Sequence, residues 1–219
     1  KKIYEKIKSR YRGIIEGLKL NLNLESEFDR IEENFLLKAG SEYAASRGEY
    51  LNGLIMAEYL GFEFIDADRL IYFNEDGSFD AEFTNKEIEE VFSTVERAVI
   101  PGFYGIDHSG RIRTFSRGGS DITGSVIARG IKADLYENWT DVNGFLIADP
   151  RIVDKPQSIR IITYKELREL SYMGASVLHE NSIFPVRSQG IPINIKNTNQ
   201  PDDPGTLIVE TTAHKPEHI

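Results

Sequence analysis

Three short segments carry residue types from which a binding or transfer site could be built. The first, Ser116-Arg117-Gly118-Gly119-Ser120-Asp121, puts two glycines between a strand-like run and a helical one. Backbone N–H groups in such a turn can approach an anion, Ser120 can cap the helix, and Arg117 offers a planar fork to a carboxylate or phosphate. The same residues also suit a plain tight turn with a solvated arginine, and Gly124 does not complete the Gly-x-Gly-x-x-Gly dinucleotide fingerprint. The second, Thr140-Asp141-Val142-Asn143-Gly144 with Asp149-Pro150-Arg151 behind it, follows a strand-like run, the place where open α/β sheets bind ligands. Asn143-Gly144 equally suits a β-turn steadied by Asp141. The third, Ser46-Arg47-Gly48-Glu49, reads as the start of an apolar helix, where the macrodipole alone would favour Glu49. His108, His179, His214 and His218 show no paired spacing, so no metal site made only of protein ligands is expected.

Composition narrows the classes of function. The chain has 219 residues, a formal charge of −9 and no cysteine. Excess negative charge argues against nucleic acid or an anionic membrane as partner. Lack of cysteine removes disulfides, thiolate-bound zinc, iron–sulfur clusters and a thiol nucleophile. No apolar run approaches the ~18 residues of a membrane helix, and the opening Lys-Lys-Ile-Tyr-Glu-Lys is unlike a signal peptide, so a cytoplasmic protein is expected. On that basis Asn138-Trp139-Thr140 is read as a coincidental glycosylation sequon. The chain opens without methionine inside a helical pattern, so a longer natural product is expected.

The elements that must position these segments follow from periodicity. Ile3, Tyr4, Ile7, Tyr11, Ile14, Ile15 and Leu18 lie at helical spacing, and further helices are expected over about 26–37 and 42–60, with Gly61 as stop. Residues 62–67 read as a buried strand and 69–73 as a short one. Thr84 with Glu87 suggests a capping box opening a helix to about 95. Residues 98–106 are apolar but interrupted by Pro101 and Gly102. Beyond them come a strand over 111–115, a helix over 120–132 and a strand over 134–139. Helices over 163–173, with Thr163 and Glu166 as a capping box, and 181–188 precede strands over 191–195 and 206–209. Strands alternating with helices predict an α/β fold with a largely parallel sheet.

Taken together and in order, the three segments, with Ala148-Asp149-Pro150-Arg151, Gly174-Ala175-Ser176-Val177-Leu178-His179, Ile191-Pro192-Ile193 and Pro204-Gly205-Thr206-Leu207-Ile208, resemble the catalytic domain of aspartate kinases, in the amino-acid kinase family. The resemblance covers about 44–209. It implies a three-layer α/β/α sandwich with a mostly parallel central sheet, the carbamate kinase-like fold, over residues 1–209, and a tail or linker over 210–219. It implies phosphoryl transfer from MgATP to the β-carboxylate of L-aspartate, giving 4-phospho-L-aspartate for lysine, threonine and methionine synthesis. Glu49 would then hold the α-ammonium of aspartate, and Arg117 its α-carboxylate, with Gly118, Gly119 and Ser120. Thr140, Asp141, Leu146, Arg151 and Ser176 would line the ATP site, and Asp121 would organise phosphate-binding lysines. Mg²⁺ would reach the site through phosphate oxygens.

The match departs from the family in two places. The family's opening strand and Lys-Phe-Gly-Gly loop have no counterpart here, and Ser176 stands where many members carry lysine, with Lys196 or Arg187 as conceivable replacements. The regulatory ACT domains that follow in the family are also not matched. The chain is therefore expected to be part of a catalytic domain, inactive alone, from a homo-oligomeric enzyme. The competing readings are a glutamate or uridylate kinase of the same family, and a binding module of the same fold without catalysis.

Overall fold

The computed structural model describes residues 2–116, 118–148, 152–154, 156–172 and 180–211. Two compact units divide the chain, Lys1–Ser116 and Arg117–Ile219.

The first unit begins with three helices, α1 (Lys2–Leu18), α2 (Glu25–Leu36) and α3 (Ser41–Leu60). Helix α3 ends as its sequence dictates, on Gly61 in the left-handed conformation. It buries Tyr50, Leu51, Ile55 and Ala57. Short strands β1 (Glu63–Phe64) and β2 (Tyr72–Phe73) flank a 3-10 turn over Ala67–Arg69; then come α4 (Ala81–Phe92), β3 (Ala98–Val99), β4 (Tyr104–Asp107) and β5 (Ile112–Thr114). β1 pairs with β3 in parallel, β2 with β4 in parallel, and β4 with β5 antiparallel. Phe28, Ile31, Leu51, Leu70, Ile71, Ile88 and Tyr104 are fully buried there.

Local chemistry corrects two expectations in this unit. The strand expected over 62–67 is cut to two residues, because the Asp66 carboxylate accepts from the Asp68 N–H at 3.4 Å and turns the chain into the 3-10 segment. Thr84 does not open α4. Asp80 does, accepting from the Phe83 N–H at 3.0 Å, while Thr84 is buried one turn inside and its hydroxyl accepts from the Tyr72 N–H at 3.0 Å. Strands β3 and β4 lie in the segment whose Pro101 and Gly102 masked its pattern.

The second unit holds α5 (Gly119–Gly130), β6 (Tyr136–Thr140), β7 (Ile161–Thr163), α6 (Tyr164–Tyr172), α7 (Glu180–Arg187), β8 (Ile193–Asn197) and β9 (Thr206–Val209). Its sheet runs β6-β8-β9-β7, with β6/β8 and β7/β9 parallel and β8/β9 antiparallel. Phe145, Ile162, Leu167, Ile183, Val186, Ile193, Ile195 and Ile208 form one apolar cluster. The capping box expected for α6 is present: the Thr163 N–H donates to Glu166 Oε2 at 2.7 Å, and the Glu166 N–H to Thr163 Oγ1 at 3.2 Å. Parallel pairing predominates in both units, as an α/β fold requires. Among the described residues no helix is long and apolar enough to cross a membrane.

Candidate functional site

The glycine turn before α5 is built as an open helix end. Gly118 takes the left-handed conformation, φ 56°, and serves as the N-cap without a side chain to offer. Among the described residues no side chain caps this terminus, so first-turn N–H groups stay available to an anion. Gly119 is buried and Ser120 exposed. Ser120 was expected to cap the helix; it lies inside the first turn instead, because the cap falls two residues earlier, on Gly118.

Asp121, also in the first turn, is held from β6. Asn138 Nδ2 donates to Asp121 Oδ1 at 2.9 Å, and the Tyr136 hydroxyl donates to the Asp121 carbonyl at 3.3 Å. Asn138 is 8% exposed, and burial pushes the Tyr136 hydroxyl up to about 12. The close approach of β6 to α5 depends on Gly124, where a Cβ would stand 2.6 Å from the Tyr136 hydroxyl. Alternation along β6 places Tyr136, Asn138 and Thr140 on this side. Trp139 projects from the other side, half exposed, with Lys196 Nζ 4.7 Å from its ring centroid. Lys196 thus lies on the Trp139 face of the sheet, opposite the side that holds Asp121.

Beyond β6 the chain enters a polar turn tied to the end of β8. The Thr140 carbonyl accepts from the Thr198 N–H at 2.8 Å. Asn197 donates its amide to Asn143 Oδ1, and Asn143 Nδ2 donates to Gln200 Oε1 at 2.6 Å and to Asp203 at 3.3 Å. Gly144 has φ +88°, and a Cβ there would meet Thr206 Oγ1 at 2.2 Å. That hydroxyl accepts from the Phe145 N–H at 2.9 Å and donates to the Ile159 carbonyl at 2.6 Å. Thr140 is half-buried, Asp141 exposed and Leu146 half-buried in a bridge to Ser158. Asn143-Gly144 is therefore a structural corner beside which Thr140 and Asp141 remain accessible.

The remaining expected residues divide by position. Glu49 is exposed on α3, but in its third turn and not near its N-terminus, because Gly40 starts the helix at Ser41. Its exposure leaves the carboxylate free to meet a cation. Arg117, Arg151 and Ser176 lie outside the described residues. So do Asp149, Pro150 and His179. Among the described residues no three His, Asp or Glu side chains gather as a metal site. From sequence Tyr136 had no role and Asn138 was marked only as the start of a coincidental sequon, although a polar residue on the inward face of an alternating strand was the available signal.

An open helix end, a buttressed aspartate and a polar corner at a strand terminus suit recognition of phosphate or carboxylate. Comparison with known proteins points the same way. The chain is 37% identical over 208 residues to Aspartokinase 3 of Bacillus subtilis, covering 90% of this chain and 44% of that protein. It is 53% identical to a Clostridium acetobutylicum aspartate kinase of known structure, with a TM-score of 0.91 over 98% of this chain and 48% of the other. Escherichia coli aspartokinase III, solved with aspartate and ADP, superposes at a TM-score of 0.82 with 25% identity, over 96% of this chain and 52% of that one. The chain spans about half the length of these relatives or less. The sequence pattern of the amino acid kinase family matches residues 7–197, so the chain belongs to that family.

Proposed function

We propose that the protein containing this chain is an aspartate kinase, transferring the γ-phosphoryl group of MgATP to the β-carboxylate of L-aspartate. The observation that carries this reading is the 53% identity and 0.91 TM-score to an aspartate kinase across almost the whole chain. The relative crystallised with aspartate and ADP supports the choice of ligands. In this reading residues 1–209 belong to one catalytic domain.

The residues divide the work by charge. Arg117 and the N–H groups of Gly118, Gly119 and Ser120 hold the α-carboxylate of aspartate, and Glu49 holds its ammonium group. Thr140, Asp141, Leu146, Arg151 and Ser176 line the nucleotide, and Asp121 orients the cations that meet its phosphates. The substrate carboxylate is itself the nucleophile, so alignment and charge neutralisation replace a general base. Mg²⁺ enters with the nucleotide, held through phosphate oxygens. A cytoplasmic homo-oligomer serving lysine, threonine and methionine synthesis belongs to the same reading.

Calorimetric titration of the folded chain with L-aspartate, L-glutamate, uridylate and MgATP tests it. A binding component selective for aspartate, weakened at least tenfold by Glu49→Ala and by Arg117→Ala, is the expected result. Glutamate or uridylate binding that is equally tight and equally weakened by the two substitutions, or aspartate binding with no component that responds to them, overturns the assignment.

A further inference from the structure

A cleft of about 580 Å³ opens within the Lys1–Ser116 unit, walled by α2, the start of α3, the 3-10 turn and the β4–β5 hairpin. Its volume falls in the range of small-molecule sites. Four guanidiniums line it, and three have carboxylate partners. Arg30 pairs with Glu27 at 2.5 Å, Arg111 with Asp107 at 3.2 Å, and Arg113 with Asp107 at 2.9 Å and Glu42 at 3.3 Å.

Arg47 is the exception. It is 6% exposed, and its guanidinium lies 4.6, 4.7 and 5.1 Å from the ring centroids of Tyr43, Tyr50 and Tyr104. Its Nε and one terminal nitrogen donate to the Ser46 hydroxyl at 3.1 and 3.0 Å, and among the described residues no carboxylate oxygen comes within 4.0 Å of it. Buried charges are ordinarily paired, so a buried guanidinium on a cavity wall with no carboxylate at ion-pair distance marks a place for an anion. The acids show the same asymmetry. Glu42 accepts from Thr114 and Arg113, and Asp66 accepts from the Tyr104 hydroxyl, whereas the half-buried Asp68 carboxylate accepts no hydrogen bond among the described residues. One cation and one anion are thus left over on the wall of one cleft.

We propose that this cleft is a second ligand site for a small zwitterion, an α-amino acid being the simplest, with its carboxylate on Arg47 and its ammonium group on Asp68. Burial and the neighbouring Asp66 raise the Asp68 carboxyl above its ordinary range, outweighing Arg47, Arg30 and Arg69, and an ammonium group placed beside it would lower it again. The site is separate from the substrate residue Glu49, which sits two residues beyond Arg47 and so about 200° around the helix. The inference does not rest on aspartate kinase activity.

The test is calorimetric titration of the chain with L-alanine, L-lysine and L-glutamate, with acetate and ethylamine as single-charge halves, in wild type, Asp68→Asn, Arg47→Met and Glu49→Ala. Zwitterion binding that survives Glu49→Ala, weakens at least tenfold in Asp68→Asn and disappears in Arg47→Met is expected. If Arg47→Met fails to fold by circular dichroism, Asp68→Asn carries the comparison. Acetate binding as tightly as the amino acids, with no effect of Asp68→Asn, would mean a simple anion site and overturns the proposal. So would no zwitterion binding to the folded chain, binding lost only in Glu49→Ala, or self-association abolished by Arg47→Met, which would place another copy's segment in the cleft.

Discussion

Asp107 and Arg47 are both buried charges of the first unit, yet the fold treats them in opposite ways. Asp107 is 1% exposed and enclosed by donors: the Ser109 N–H and hydroxyl, the Arg111 N–H, and the Nε groups of Arg111 and Arg113. Arg47 is held by aromatic faces and one hydroxyl. The first charge is satisfied by the chain itself and locks the β4–β5 hairpin. The second is satisfied only in part. A buried charge whose partners all come from the fold is architectural, whereas one whose surroundings stop short of an ion pair is available for recognition.

The widest separation should appear on truncation. Asp107→Ala takes the buried carboxylate from Arg111 and Arg113 and empties a site lined by the Ser109 and Arg111 N–H donors, so it should destabilise the chain by about 3 kcal/mol in urea unfolding. Arg47→Met exchanges an unpaired cation for an apolar chain in the same aromatic cage, and its cost should stay within about 1 kcal/mol. Equal losses would break the comparison.

Acid should reveal the same contrast. Burial alone would raise the Asp107 carboxyl, but its hydrogen bonds from Ser109, Arg111 and Arg113 prevail and hold it well below the usual carboxylate range. A depressed folded value means that this stabilisation is complete above about pH 4–5 and is lost as pH falls through the folded value. Unfolding free energy should therefore fall more steeply between about pH 5 and pH 2 in wild type than in Asp107→Asn.

Two smaller effects extend the comparison to the second unit, where the Asp121 carboxylate has, among the described residues, one side-chain donor, Asn138. Asn138→Ala should cost about 1 kcal/mol in unfolding free energy by leaving that carboxylate without its amide. Thr163→Ala should cost somewhat less, about 0.5–1 kcal/mol, by opening the capping box at α6. Urea unfolding followed by circular dichroism measures both.

Much of this arrangement was legible in the residue order. The 3.6-residue pattern located α1, α2 and α3 to within a residue or two, and Thr163 with Glu166 announced the start of α6. The two-residue strand β3 was not legible and β1 was read too long, because so short a run has no period, and their pairing joins segments about 35 residues apart. Thr84 shows how a local signal loses to tertiary context: its hydroxyl serves the Tyr72 N–H, and Asp80 takes the cap. The candidate site divides likewise. The glycine turn and Asp121 were evident, but Asn138 gained meaning only when β6 lay beside α5. Tyr43, Arg47 and Tyr50 share a helix face by spacing alone, whereas Tyr104 joins them only through folding.

The pairing of Lys196 with Trp139 has an optical consequence. Trp139 is the chain's single tryptophan and stands in the second unit, while most of the ten tyrosines, including the Arg47 cage, belong to the first. Excitation at the red edge of the absorption band therefore reads only the second unit, with a cation over the indole as a built-in modulator of its emission. Tyrosine fluorescence reads chiefly the first. Melting of the two units can be followed in one cuvette without a label.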